Sequence, residues 1–184
     1  MIQNILGAIA AFVVLVIGLG FILPDKVELQ RSAVINAPQH EVYALISDFE
    51  AWDAWSPWAK LDPDAEMSIS GEGVGQKMSW KSEDRNVGVG TQTVTAMDAP
   101  NSMSTHLAFE GMGEADAQFM LSSSGDGATE VTWRFETNMR EGMALHMKPI
   151  ATYMGFFMDG MLGPQYEEGL SNLKQVAENQ TTAG

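Results

Sequence analysis

The hydrophobic pattern changes character four times along the chain. From Met1 to Pro24 no side chain is charged, and Ile5 to Leu23 is almost wholly apolar. As a helix this run extends ~28 Å, close to the hydrocarbon thickness of a bilayer. Val27 to Ala37 then reads as a strand. Val42, Leu45, Ile46 and Phe49 recur at helical spacing after Pro38, which suits a first helical turn. An aromatic loop follows, with Trp52, Trp55 and Trp58, and ends in Asp62-Pro63-Asp64. Its prolines and Asx residues argue against a continuous helix beyond Trp55.

The middle of the chain alternates with period two. Strands are expected near Met67 to Ser70, Gln76 to Lys81, Gly88 to Met97, Ser102 to Glu110, Ala115 to Ser123 and Thr129 to Asn138. Turn signals separate them: Gly71-Glu-Gly73, Glu83-Asp-Arg-Asn86, Asp98-Ala-Pro-Asn101, Gly111-Met-Gly113 and Ser124-Gly-Asp-Gly127. Intervals this short predict antiparallel pairing, since parallel crossovers need a dozen residues or more. Val131, Trp133 and Phe135 share one face of their strand, against Glu130, Thr132 and Arg134. Met103, Thr105, Leu107 and Phe109, and Ala115, Ala117, Phe119 and Leu121, repeat the pattern. One sheet face is apolar and the other is wet.

After Asn138 the period lengthens. Met143, Met147, Ile150, Met154, Phe157 and Met161 fall at steps of four and three, a helical stripe. Gly163-Pro164 is expected to interrupt it, and Tyr166, Leu170, Leu173 and Ala177 continue a stripe beyond. A curved sheet with one apolar face must be covered, and only the C-terminal helix is long enough. The order predicts an α+β domain, a curved antiparallel sheet of about seven strands wrapped around a long C-terminal helix. Its expected parts are a membrane anchor over 1–24, a domain over 25–179 and a frayed tail over 180–184.

The first segment admits three readings. A membrane anchor is favoured by length and by the abrupt stop at Pro24-Asp25. A signal peptide would want a basic region before a shorter apolar core, and a buried core helix would be less uniformly apolar. Lys26 and Arg31 follow the segment, so the positive-inside rule leans toward a cytoplasmic domain.

Composition narrows the function classes. Ten Lys and Arg stand against 24 Asp and Glu, a net charge of −14, so nothing here neutralises a row of phosphates and nucleic acid is excluded as a partner. With no cysteine, disulfides, thiol catalysis and thiolate metal sites are excluded as well.

Local sequence resembles a known superfamily. Ser32-Ala-Val-Ile-Asn-Ala-Pro38, Glu41-Val42-Tyr43 and Leu45-Ile46-Ser-Asp48-Phe49 look like the opening strand and first helix of START-like (SRPBCC) proteins. Trp52-Asp-Ala-Trp55-Ser-Pro-Trp58 looks like the tryptophan segment that follows. Gly163-Pro164 with Glu168-Gly-Leu170-Ser-Asn-Leu173-Lys174 resembles the closing helix of a bacterial polyketide cyclase/dehydrase-like subgroup, in which an N-terminal membrane segment is common. The resemblance covers roughly Val27 to Glu178. It implies the helix-grip fold, and it carries no single catalytic set.

Strand alternation places Met78, Trp80, Gln92, Val94, Thr105, Leu107, Phe109, Phe119, Trp133 and Phe135 on the inner face. None ionises in a range useful for acid–base catalysis. His106 falls on the polar face, His40 on the first helical turn among solvated neighbours, and His146 beside the methionine stripe; each reads as a surface histidine. Asp62 and Asp64 suit a turn better than a metal, and the glycines near 71–75 and 88–90 suit hairpins better than a phosphate cradle. No metal or cofactor is expected.

Met147, Met154, Phe157 and Met158 are expected to close the cavity from the helix, as adaptable thioether and aromatic walls or as plain core packing. Gln92, Thr105 and the indole N–H of Trp80 or Trp133 would supply the few polar contacts that orient a ligand. The expected function is a membrane-anchored module that binds a hydrophobic or amphiphilic, lipid-like small molecule. The alternatives are a polyketide cyclase/dehydrase-type enzyme using the same cavity, or a module whose interior its own side chains fill.

Overall fold

The computed structural model describes residues 2–62, 64–84, 87–111 and 113–183. Pro63, Arg85, Asn86 and Met112, which belong to three of the expected turns, lie outside the described residues. Helix α1 (Ile2–Ile22) leads into strand β1 (Lys26–Ile35) and helix α2 (Gln39–Ile46). Six strands follow: β2 (Glu66–Ser70), β3 (Lys77–Lys81), β4 (Val89–Asp98), β5 (Ser102–Phe109), β6 (Gly113–Ser123) and β7 (Thr129–Asn138). Helices α3 (Lys148–Gly155) and α4 (Met158–Ala183) complete the chain.

The period-two segments form one antiparallel seven-stranded sheet in the order β1-β7-β6-β5-β4-β3-β2. Sequential strands pair as hairpins, and β1 reaches β7 at the far edge, with Arg31 opposite Trp133. Register turns the odd-numbered apolar residues of β5, β6 and β7 to a single face. Met103, Phe119 and Trp133 lie in one cross-strand row, and Thr105, Ala117 and Phe135 in the next. A bulge between Val94 and Ala96 shifts the end of β4 and adds local bend. This is the helix-grip fold: a curved sheet gripping α4, which lies along β1.

The aromatic loop is structural. It folds into two 3₁₀ turns, Phe49–Ala54 and Trp58–Lys60. Trp52 and Trp55 are buried, and their indole N–H groups donate to the Ile46 and Leu45 carbonyls at 2.8 and 2.9 Å. These carbonyls belong to the last turn of α2, which leaves them without helical partners, so the indoles cap the helix from inside the core. Trp52 and Trp55 then pack edge-on against Phe119 and Trp133, while Trp133 stacks between Phe119 (4.6 Å) and Tyr166 of α4 (4.0 Å).

Helix α4 approaches this cluster because Gly169 lacks a side chain. A Cβ there would stand 2.8 Å from the Trp133 ring and 3.1 Å from Pro57. Arg31 reaches from β1 and donates to Glu167 (2.8 Å), with Asp159 at 3.0 Å, which ties two turns of α4 to the sheet.

Two expectations about the C-terminal segment differ from the structure. Gly163-Pro164 does not interrupt the helix: α4 runs through Pro164, and the break falls earlier, at Phe156 and Phe157. The helix continues to Ala183, and Thr181 donates back to the Ala177 carbonyl and across to Glu41. The methionine stripe does not close the sheet. Met147, Met154 and Phe157 are 40, 48 and 65% exposed, on a 3₁₀ turn, α3 and the α3–α4 corner. Helix α3 packs instead against α1, where Tyr153 donates to the Val16 carbonyl at 2.6 Å. A helical stripe specifies an apolar face and leaves open what that face meets.

Helix α1 is long and apolar enough to cross a membrane, and nearly all of it is exposed. Its C-terminal end is fastened to the domain by Arg140, which donates to the Phe21 carbonyl at 2.9 Å and to that of Leu23. The guanidinium also lies 3.5 Å from Asp25 and donates to Thr152 of α3. A cation at a helix C-terminus satisfies free carbonyls and favours the helix dipole.

Candidate functional site

The concave face divides into two halves. Toward β1 and β7 it is filled by Trp133, Phe119, Trp52, Trp55 and Tyr166. Toward β3, β4 and β5 it continues as three cross-strand rows. Cross-strand neighbours Trp80, Gly90 and Phe109 make one row of it; Met78, Gln92, Leu107 and Ala115 make the next; Val94, Thr105, Ala117 and Phe135 make a third. Gly90, Ala115 and Ala117 are buried and carry the smallest side chains of these rows.

Each wall has a local cause. Trp80 lies flat across Gly90, whose missing Cβ the indole would otherwise overlap, and its N–H donates to the Val87 carbonyl at 3.1 Å. Phe109 meets that indole edge-on at 5.8 Å. Trp80, Leu107 and Phe109 are only partly buried although they pack against the core, so this rim presents apolar surface outward. Beneath it Gln92 donates to the Thr105 hydroxyl at 2.9 Å, and both are buried. A paired amide and hydroxyl in an apolar wall orient a polar group without the cost of an unmet donor.

Ten of the fourteen residues expected at the site therefore share one face: Met78, Trp80, Gln92, Val94, Thr105, Leu107, Phe109, Phe119, Trp133 and Phe135. Phe119 and Trp133 sit in the packed half. Met158 is partly buried at the start of α4, whereas Met147, Met154 and Phe157 lie on the outer surface beside α1.

Trp133 carries one further feature. Its Nε1 is the one buried side-chain nitrogen or oxygen without a hydrogen-bond partner among the described residues. The other four indoles all donate, Trp58 to Gln165 at 3.0 Å. Burial pushes the Tyr166 hydroxyl far above its ordinary range, so the ring stacked on Trp133 stays neutral.

Arg31 is the residue that sequence reasoning missed on this face. The alternation Leu29, Arg31, Ala33, Ile35 places it inward, and a cation inside an apolar register was the available signal. Its carboxylate partners on α4 make it a clamp for the helix. The histidines lie where the alternation puts them: His106 is on the convex face, 2.8 Å from Asp116 and 3.5 Å from Glu114, and His40 and His146 are exposed. Among the described residues, no three His, Asp or Glu side chains gather in a way that would hold a metal ion.

A family model described as polyketide cyclase/dehydrase and lipid transport matches residues 26–178. No curated protein matches the chain. Among solved structures, the Zhui aromatase/cyclase from a Streptomyces species superposes with a TM-score of 0.62 at 12% identity, over 85% of this chain and 96% of that one. A Staphylococcus aureus protein of unknown function gives 0.59 at 10% identity, over 84 and 98%. Ara h 8.0201 gives 0.53 at 12% identity, over 83 and 97%. At such identities the likeness is one of fold. A single apolar N-terminal helix of this length suits a membrane span or a signal sequence.

Proposed function

Because the chain belongs to the polyketide cyclase/dehydrase and lipid transport family, we propose that it is a membrane-anchored module that binds a hydrophobic or amphiphilic small molecule. The observation that carries the reading is the partly exposed apolar edge of the inner face, Trp80, Leu107 and Phe109, beside the small residues Gly90, Ala115 and Ala117; a ligand would take this part of the face as its trough. Gln92 and Thr105 are the polar contacts for a ligand head. Helix α1 is the anchor. Lys26 and Arg31 follow it and favour a domain on the cytoplasmic side.

The experiment is purification of the full chain from membranes, then extraction and mass identification of what is bound beyond the solubilising lipid. A discrete apolar compound is expected with the native chain. Ala115→Phe should lose it with an unchanged circular dichroism spectrum, because the new ring occupies the inner face between Leu107 and Thr137. A second reading, an interior filled by its own side chains, is favoured by the Trp133 stack. It predicts an empty native chain before and after exposure to membrane extracts.

A further inference from the structure

The surface beside α1 is unusual for this chain. Leu145, Ile150, Met154, Phe156, Phe157 and Met161 are each 48–72% exposed and follow one another from the 3₁₀ turn (Leu145–Met147) through α3 into α4. Contiguous apolar exposure on this scale marks an interaction site. The chain carries 24 acidic residues, yet no Asp or Glu occurs between Glu141 and Asp159, and Asp159 is paired with Arg31. The only ionisable groups of ordinary pH range in that interval, His146 and Lys148, are basic.

Its position against α1 is fixed. Tyr153 donates to the Val16 carbonyl, and Pro149 lies against Gly20, where a Cβ would stand 2.6 Å from the proline ring. Gly20 is also the one buried residue of α1. Val16 precedes the end of α1 at Ile22 by six residues, ~9 Å along the axis, and the whole helix is ~31 Å long. If α1 spans a bilayer, its length uses the full hydrocarbon thickness. Helix α3 is then held alongside the last third of the span and cannot stand in water.

We propose that residues 145–157 form a re-entrant apolar element embedded in the leaflet next to the domain, with acyl chains covering Leu145, Ile150, Met154, Phe156 and Phe157 and Met161 at its margin. The inference rests on the anchor reading of α1. An open groove of about 530 Å³ between the helices, lined by Ile17, Phe21, Leu145, His146, Pro149 and Ile150, is then filled by lipid tail. Lys148 and His146 lie at the head of α3, where basic groups reach the phosphate level. Directly after Phe157 the chain turns inward: Met158 is partly buried, and Leu162 packs against the core. Two turns of α4 thus lead from the leaflet to the gripped face.

The native chain has no cysteine, so single labels are clean. The full chain carrying Leu15→Cys, Ile150→Cys, Phe157→Cys or Ser124→Cys is labelled with an environment-sensitive fluorophore and reconstituted in phosphatidylcholine vesicles. Bromination of the acyl chains should quench most of the emission at 15, 150 and 157, and iodide in the buffer should quench only 124. Quenching at 15 with 150 and 157 open to iodide overturns the inference and leaves the anchor standing. Absence of acyl quenching at 15 overturns the anchor and the inference together. Labels at 150 and 157 shielded from both quenchers would place a protein surface, such as a second copy, on the patch and would also overturn it.

Discussion

Replacing Gly169 by alanine sets two effects of opposite sign against each other. In an ordinary helix interior the change stabilises by about 1 kcal/mol through backbone entropy. Here the new methyl would stand 2.8 Å from Trp133 and 3.1 Å from Pro57, where ordinary contact begins at 3.4 Å. The indole has no room to retreat, since Phe119 and Tyr166 stack on it at 4.6 and 4.0 Å, and overpacking of this kind costs about 1–3 kcal/mol. The expected net is a loss of about 1 kcal/mol, or about 2–4 °C in melting temperature for a domain of this size. Thermal unfolding of the full chain in detergent, followed by near-ultraviolet circular dichroism, reads it. In a Trp133→Phe background the obstructing carbon is gone, and Gly169→Ala should become stabilising by up to about 1 kcal/mol. A higher melting temperature for Gly169→Ala in the native background would refute the argument that the glycine is required for close approach.

Three further outcomes follow from particular contacts. Gln76→Leu removes the buried acceptor of the Phe49 amide (3.1 Å) and the donor to Asp48 (2.7 Å), so urea denaturation should show a loss of about 1–3 kcal/mol; an unchanged midpoint would count against the assignment. The Asn36 amide, with Lys174 nearby, holds the Glu178 carboxyl below its ordinary value near 4.5. Its contribution is complete above that value and is lost as pH falls through the lowered one, so Glu178→Gln should flatten the acid limb of stability against pH, and an identical limb would contradict the linkage. Arg140→Ala frees the Phe21 and Leu23 carbonyls and should cost about 1.5–3 kcal/mol, read as faster hydrogen exchange of the Leu23 amide, which donates to Leu19; unchanged protection there would remove its capping role.

Much of this architecture was legible in the sequence because sheets write their sidedness with period two. Thr129 to Asn138 begins and ends where the alternation of Val131, Trp133 and Phe135 places it, and the other strands shift by a residue or two. The inner face was legible for the same reason: Trp80, Gln92, Leu107 and Phe109 inherit their side from register. Gly90 was not, since a glycine in the 88–90 stretch reads as a hairpin residue until its cross-strand neighbours are known. Period 3.6 is less informative about destination. The stripe from Met143 to Met161 correctly predicts apolar faces, but whether they meet sheet, helix α1 or lipid depends on contacts more than a hundred residues away, such as Tyr153 to Val16. The tryptophan segment is legible as an aromatic loop, but that Trp52 and Trp55 are capping donors at the centre is set by the α2 carbonyls they find.

The five indole N–H groups provide the most direct test of ligand binding in the trough. Trp52, Trp55, Trp58 and Trp80 donate to protein acceptors, and the Trp133 N–H is free. In ¹⁵N-labelled full chain, assigned by single Trp→Phe variants, addition of the co-purified compound should move the Trp80 signal strongly. Trp52, Trp55 and Trp133, enclosed in the packed half, should stay in place. Five stationary signals, or equal movement of all five, would contradict a ligand in the trough.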